Sequence, residues 1–121
     1  MSRKSAILLV LAMAFPLEAG ERLAMRVTPA MALEPAVLTV RAMIEADADN
    51  RTLEVVAQSA DFYRSSSIQL DGQSAPRLNV FEFRNLPTGM YEVTSTLTNS
   101  HGQRVSASKL FRVAPAPGSS R

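Results

Sequence analysis

Apolar and polar residues alternate along most of the chain, with the period of two that is typical of half-buried β-strands. The alternation runs through residues 36–45, 52–58, 91–98 and 105–113. The predicted inward positions are Leu38, Val40, Ala42 and Ile44; Leu53, Val55 and Ala57; Tyr91, Val93, Ser95 and Leu97; and Val105, Ala107, Lys109, Phe111 and Val113. No segment has the 3.6-residue period of a helix, so the pattern predicts an all-β protein.

Two further segments are apolar without regular alternation. Residues 62–70 carry a run of three serines, which favours an edge strand or a strand that passes from one sheet to another. In residues 78–86 the apolar parity changes between Val80 and Phe81, which indicates either a β-bulge or a strand buried on both sides. With a first strand at residues 22–29, the count is about seven strands, as in an antiparallel Greek-key sandwich.

The connections between these strands have turn chemistry. Residues 46–50 contain two aspartates and an asparagine, which bond to nearby backbone and tolerate left-handed conformations. The segment Asn-Ser-His-Gly at 99–102 ends in Gly102 and predicts a β-hairpin.

The sequence NLPTGMYEV at residues 85–93 is similar to the segment that enters the sixth strand of fibronectin type III and other immunoglobulin-like domains. The resemblance implies a tyrosine corner, in which the hydroxyl of Tyr91 bonds to upstream backbone, Leu86 packs beneath the ring, and Pro87 and Gly89 shape the turn. Over residues 23–114 the chain resembles immunoglobulin-like domains of secreted bacterial proteins. The carboxypeptidase-regulatory or transthyretin-like sandwich is the alternative.

The N-terminus predicts a signal peptide. Arg3 and Lys4 precede an apolar stretch from residue 6 to residue 17, a length that suits a secretory leader and is too short to span a bilayer. We therefore divide the chain into a signal peptide at residues 1–20, a sandwich at 21–114 and a flexible, Pro- and Ser-rich tail at 115–121. The predicted location is secreted or periplasmic, with no integral membrane span after cleavage.

Charge argues against nucleic acid as a partner. The formal net charge is +2. Residues 1–20 contain the charged residues Arg3, Lys4 and Glu18, so their removal leaves a net charge of +1. The remaining basic residues are scattered singly and form no run or stripe, whereas nucleic-acid-binding domains concentrate them.

Residues suited to catalysis or to metal binding are scarce. The chain has no cysteine and one histidine, His101, in the predicted hairpin turn. Zinc sites take three or four Cys, His or carboxylate ligands, so we predict no metal site, no cofactor and no enzymatic activity. Glu45, Asp47, Asp49 and Asn50 offer oxygen ligands for calcium, but the glycine and distal glutamate of an EF-hand are missing. An Asx-rich turn is the preferred interpretation of that loop.

The remaining binding candidates are Phe62, Tyr63 and Arg64, residue types that are frequent in interaction hot spots. The predicted function is a secreted non-catalytic binding or structural module for adhesion, envelope or complex assembly, with a protein or cell-envelope partner. The alternative is a small periplasmic inhibitor, chaperone or accessory subunit that acts by edge-strand pairing. A carbohydrate-active protein or other enzyme is a third hypothesis.

Overall fold

The computed structural model describes residues 22–117 of the chain. The predicted all-β class is confirmed: these residues form strands, apart from turns and one 3₁₀ turn at Gly72–Ser74. The strands are β1 (Leu23–Thr28), β2 (Met31–Leu33), β3 (Ala36–Ile44), β4 (Asn50–Gln58), β5 (Tyr63–Gln69), β6 (Leu78–Leu86), β7 (Gly89–Asn99) and β8 (Arg104–Ala114). The predicted leader and the last four residues of the predicted tail lie outside this range.

The strands form two sheets. One has three strands in the order β1-β3-β6, and the other has five in the order β2-β8-β7-β4-β5. All pairs are antiparallel except β2 with β8, which run parallel. The predicted edge character of residues 62–70 is confirmed, because β5 is the last strand of the larger sheet. Within residues 22–117, no helix has the length and apolar character needed to cross a membrane.

The predicted count of seven strands is wrong, because β2 is an eighth within the described residues. It has three residues, which pair with Arg112, Val113 and Ala114 of β8. The backbone N–H of Arg112 donates to the carbonyl of Ala30 at 3.2 Å and extends the ladder by one bond. Three residues are too few to show an alternation, and the flanking Pro29 and Pro35 indicate turns.

The core lies between the two sheets. The predicted inward faces of β3, β4 and β7 are confirmed, since every side chain predicted to point inward on these strands is buried. On β8 only Phe111 and Val113 are buried, and the inward prediction is wrong for Lys109, which is exposed where β8 has no paired neighbour on its β2 side. Tyr91 and Phe111 are the largest fully buried side chains, with ring centroids 6.2 Å apart. These two rings therefore contribute the largest buried side chains of the core.

Strand β6 has no bulge between Val80 and Phe81, and its side chains alternate regularly between the two faces. Phe81 and Phe83 point inward, and Leu78 and Val80 lie on the exposed face. Asn79 takes the remaining inward position, where its amide donates to the carbonyl of Pro76 at 2.9 Å. The sequence indicates a bulge or burial on both sides because Leu78 and Val80 are apolar and Asn79, between them, is polar. In the structure it is Asn79 that faces the core.

Candidate functional site

A cleft of about 300 Å³ opens at one end of the sandwich, which we name the end cleft. Five strand ends meet there: the start of β1, the end of β3, the start of β4, the end of β7 and the start of β8. The lining residues are Arg22, Glu45, Asp47, Asn50, Leu97, Asn99, Gln103, Arg104 and Val105. Apolar side chains are few, so the cleft is suited to a polar molecule.

The β3–β4 loop forms one wall of the end cleft. A side-chain oxygen of Asp47 accepts the backbone N–H of Asp49 at 2.8 Å, which is the hydrogen bond of an Asx turn. Asn50 is buried, and its amide donates to the carbonyl of Glu45 at 3.0 Å, closing the loop across its base. The preferred Asx-turn interpretation of this loop is therefore confirmed.

The β7–β8 hairpin forms the opposite wall, and Asn99 organises it. The side-chain oxygen of Asn99 accepts the backbone N–H groups of His101 and Gln103, both at 2.9 Å. Its amide donates to the side-chain oxygen of Gln103 at 3.0 Å. His101 is exposed in the turn and does not line the cleft. The hairpin thus holds two carboxamides in fixed orientation at the rim.

A hydrogen-bonded contact joins the two walls. Ser100 donates from its backbone N–H to the carbonyl of Asp49 at 2.8 Å, and its hydroxyl donates to the Asp49 carboxylate at 3.1 Å. The sequence identified residues 46–50 and 99–102 as separate turns. Nothing in their spacing predicts that they meet, because the contact depends on the register between β4 and β7, in which Asn50 is the partner of Asn99.

The end cleft brings together charges of both signs. Arg22 and Arg104 supply guanidinium groups, and Glu45 and Asp47 supply carboxylates; all four residues are exposed. None of them forms an ion pair within 4.0 Å among residues 22–117, where the Glu82–Arg84 contact is the one salt bridge. The four charged groups therefore do not neutralise one another, and one oxygen of Asp47 accepts the backbone N–H of Asp49.

The end cleft does not have a metal-binding arrangement. The described part of the chain contains no group of three or more His, Cys, Asp or Glu side chains that could hold a metal ion. Of the calcium ligands considered from the sequence, Asp47 and Asp49 already accept hydrogen bonds from within the loops.

The corner residues lie far from the end cleft. Tyr91 is fully buried, and its hydroxyl donates to the carbonyl of Pro87 at 2.7 Å. Leu86 is also buried, and Gly89 lies over Ser59, where an added Cβ would come within 3.3 Å of the serine Cβ. Tyr91 and Asn99 are eight positions apart along β7, which is about 27 Å at the usual rise of a strand. Leu86, Pro87, Gly89 and Tyr91 lie in or beside the β6–β7 turn, at the other end of the molecule.

The three candidate interaction residues are not gathered on one surface. Phe62 is half-buried against the core and makes an edge-to-face contact with Tyr91, with ring centroids 6.1 Å apart. Arg64 covers the outer side of the Phe62 ring, with its guanidinium carbon 5.1 Å from the centroid. It also donates to the carbonyl of Arg84 at 3.2 Å. Tyr63 alone is freely exposed, at 59%.

Comparisons with known proteins show similarity in fold alone. No protein-family model matches the chain, and no curated protein matches it. Among solved structures, it is similar to the superoxide reductase (neelaredoxin) from Ignicoccus hospitalis at a TM-score of 0.60 and 11% identity, with 76% of this chain and 80% of that one covered. A variant of the Archaeoglobus fulgidus neelaredoxin matches at 0.59 and 11% identity, over 82% and 94%.

A family 76 glycoside hydrolase from a Bacteroides thetaiotaomicron strain is also similar, at a TM-score of 0.52 and 17% identity. That match covers 74% of this chain and 20% of the hydrolase. The structural matches support a shared all-β fold. At identities this low, no site residue of those proteins can be assigned to this chain.

These similarities overturn two of the predictions. A secreted non-catalytic module was predicted, with an edge-pairing periplasmic protein as its alternative, and enzymatic activity was excluded. The similar superoxide reductases are enzymes, so this fold also serves catalysis, and the exclusion was wrong. The predictions were wrong because a function class was inferred from the fold, and one fold can host many unrelated functions.

Redox enzymes commonly use a metal centre, and this chain has few of the side chains that bind one. Histidine nitrogen and cysteine sulfur are the usual ligands of redox-active metals in proteins. This chain has one histidine and no cysteine, and residues 22–117 contain no metal-holding group. The residues of this chain therefore do not fit such a centre.

Proposed function

We propose that the chain recognises a small dipolar molecule, one that carries both a cationic and an anionic group, in the end cleft. The observation that carries the proposal is the presence of two guanidinium groups and two carboxylates around one 300 Å³ cleft with no ion pair between them. A ligand with both charges satisfies both sets of groups, whereas an ion of one sign leaves half of them unpaired.

Size and shape support a small ligand. A volume of about 300 Å³ is at the lower end of the range for small-molecule sites. Leu97 is buried and Val105 half-buried, so the apolar part of the lining is limited to two side chains. An amino acid or a dipeptide has the matching combination of two charges and a small apolar portion.

The groups that orient such a ligand are already held in place. Asn50 is fixed by its bond to the Glu45 carbonyl, and Asn99 and Gln103 are bonded to each other. Binding that uses preformed groups loses less conformational entropy than binding that must order them. The long arginine side chains are the parts that adjust.

The test is a titration of the isotopically labelled protein, residues 21–121, by NMR with glycylglycine as the probe. Acetate and ethylammonium, each with one charge, are the reference ions. We expect glycylglycine to shift backbone amides of residues 45–50 and 99–105 at millimolar concentration. The Arg104→Gln variant should weaken binding about tenfold, as expected for the loss of one charged hydrogen-bonding partner.

The matched control is Arg112→Gln, which removes another exposed arginine, from the other end of β8. It should leave the glycylglycine titration unchanged. Equal shifts with acetate, ethylammonium and glycylglycine, or the same loss of affinity in both arginine variants, would contradict recognition of a dipolar ligand in this cleft.

We also propose that the sandwich is of the immunoglobulin-like kind. The strand orders β1-β3-β6 and β2-β8-β7-β4-β5 support it, as does the bond from the Tyr91 hydroxyl to the Pro87 carbonyl. Export is a separate proposal, supported by Arg3 and Lys4 before the apolar residues 6–17. Fusion of residues 1–30 to a bacterial alkaline phosphatase that folds only outside the cytoplasm should give activity. A fusion that begins at residue 21 should give none.

A further inference from the structure

A second cleft lies on the side of the sandwich, at the seam between the two sheets, and we name it the seam cleft. It is an open groove of about 300 Å³, lined by Met25, Arg26, Val27, Ala30, Lys109 and Leu110. It shares no residue with the end cleft. Any function it has is therefore separate from the one proposed above.

The topology explains why this seam is open. The chain leaves β1 at Thr28 and crosses to the other sheet, where β2 pairs with the last residues of β8. The pairing begins at Arg112, so the stretch of β8 before it has no neighbour on this side. β1 is likewise the edge strand of its own sheet. Two strand edges thus face each other with a gap that no third strand fills.

The floor of the seam cleft is apolar and its rim is cationic. Met25 is nearly buried, with 8% of its surface exposed, and Val27 packs against the core. Leu110 projects beside it and, at 66%, is the most exposed of the large apolar side chains described. Arg26 and Lys109 come from opposite sides of the cleft and are both exposed. A molecule that bridges floor and rim must have an apolar part and a negative charge.

A third cation adjoins the rim. Arg41 of β3 is the direct cross-strand partner of Arg26, and both side chains lie on the outer face of the smaller sheet. Like charges placed directly opposite each other destabilise a sheet unless an anion lies near them. Neither arginine, nor Lys109, forms an ion pair among residues 22–117. In register, Glu92 of β7 lies opposite Leu110, and Glu82 of β6 lies opposite Thr39, two residues from Arg41.

We propose that the seam cleft binds an anionic amphiphile: a molecule with a carboxylate, sulfate or phosphate head held by Arg26 and Lys109, and a short apolar chain that covers Met25, Val27 and Leu110. Arginine and lysine both bind oxyanions, and arginine can do so through two parallel hydrogen bonds. The apolar chain removes the exposed surface of Leu110 from water, which adds to the affinity. A second copy of the protein is disfavoured as occupant, because two-fold packing would bring the same cations together.

The experiment measures binding of octanoate to residues 21–121 by isothermal titration calorimetry and by NMR. We expect saturable binding with amide shifts at residues 25–30 and 108–111. Inorganic phosphate, which has the charge without the chain, and octyltrimethylammonium, which has the chain without the negative charge, should bind at least tenfold more weakly. The double variant Arg26→Gln, Lys109→Gln should lose at least tenfold in octanoate affinity, while Arg112→Gln should not.

Phosphatidylglycerol vesicles distinguish the source of the amphiphile. Co-sedimentation with vesicles containing 30% phosphatidylglycerol, abolished by the double variant, identifies a lipid headgroup, whereas octanoate binding without sedimentation identifies a free amphiphile. Either result supports the proposal. Binding of phosphate or of octyltrimethylammonium as tight as that of octanoate overturns it, and so does octanoate affinity unchanged in a double variant that remains folded by circular dichroism.

Discussion

The carboxylate of Glu34 accepts two hydrogen bonds from Thr88, one from the backbone N–H at 3.0 Å and one from the hydroxyl at 2.6 Å. Glu34 follows β2 directly, and Thr88 lies in the turn between β6 and β7. The contact therefore ties the β2–β3 connection to the turn where the chain passes from the smaller sheet to the larger one. The Tyr91 hydroxyl donates to the carbonyl of Pro87 in the same turn, so two side chains form hydrogen bonds to this corner.

Acid should weaken the contact between Glu34 and Thr88. The hydroxyl of Thr88, together with its backbone N–H, lowers the pKa of the Glu34 carboxyl from its ordinary value of 4.5. A lowered pKa contributes stability that is present above pH 4.5 and is lost as the pH falls through the lower, folded-state value. We expect Glu34→Gln to be less stable than the parent protein at pH 7, with the difference shrinking below pH 4.5. Urea unfolding at a series of pH values measures both.

Glu92→Gln is the control for this series, because Glu92 is an exposed carboxylate on β7 that is not part of the corner. It separates loss of the specific contact from loss of one negative charge. If the free energies of unfolding of Glu34→Gln and of the parent protein differ by the same amount at pH 3 and at pH 7, the hydrogen bonds to Thr88 do not depend on the charge of the carboxylate.

Removal of the Tyr91 hydroxyl should destabilise the fold. Tyr91→Phe keeps the ring packed against Phe62 and Phe111 but leaves the Pro87 carbonyl without its donor. The expected loss is about 1 to 3 kcal/mol in the free energy of unfolding, the usual effect of removing one partner of a shielded hydrogen bond. Tyr63→Phe removes a hydroxyl from a side chain that is 59% exposed and should change stability by less than about 0.5 kcal/mol. Equal effects of the two substitutions would argue against a structural role for the Tyr91 hydroxyl.

We also expect the protein to lose stability in alkali, because the phenol of Tyr91 is buried. Burial raises the pKa of the Tyr91 phenol above its ordinary value of 10.0, so the folded state holds the proton more tightly than the unfolded chain does. The stability that results is fully present below pH 10 and is lost as the pH rises towards the folded-state pKa. We expect the thermal midpoint of the parent protein to fall more steeply between pH 9 and pH 11 than that of Tyr91→Phe. Parallel curves for the two proteins would contradict this assignment.

The core faces could be predicted from the sequence because burial imposes a period of two on each long strand. Leu38, Val40 and Ala42 follow that period without exception and are all buried. The short strand β2 left no such signal, since its position depends on pairing with β8, more than 70 residues away in the sequence. Asn79 was missed for a similar reason: its inward position requires the nearby Pro76 carbonyl as acceptor.

The two clefts were less accessible to prediction than the fold. Arg22, Glu45 and Arg104 come from three different strand ends and meet only because the sheets pack face to face. Local chemistry identified the Asx turn at Asp47, because that turn is made by residues close in sequence. Phe62 and Arg64 are residue types that suit an interface, and the structure adds contacts that their sequence did not predict: Phe62 packs against Tyr91, and Arg64 covers the Phe62 ring.

Gly72 should be the glycine least tolerant of substitution. Its φ is +53°, and a Cβ added there would lie 2.7 Å from the backbone oxygen of Ala48, a contact that no side-chain movement relieves. Gly102 has a φ of +82° but has nothing within 4 Å of an added Cβ. Both substitutions to alanine incur a left-handed backbone penalty of about 1 to 2 kcal/mol. Only Gly72→Ala must also move the β3–β4 loop.

We therefore expect Gly72→Ala to lower the free energy of unfolding by at least about 1 kcal/mol more than Gly102→Ala, measured by urea unfolding at pH 7. Because the loop contains the Asp47 turn and Asn50, the NMR signals of residues 46–50 should also shift in Gly72→Ala and stay unchanged in Gly102→Ala. Similar losses in the two variants would mean that backbone strain alone sets the effect. The contact with Ala48 would then not constrain the wall of the end cleft.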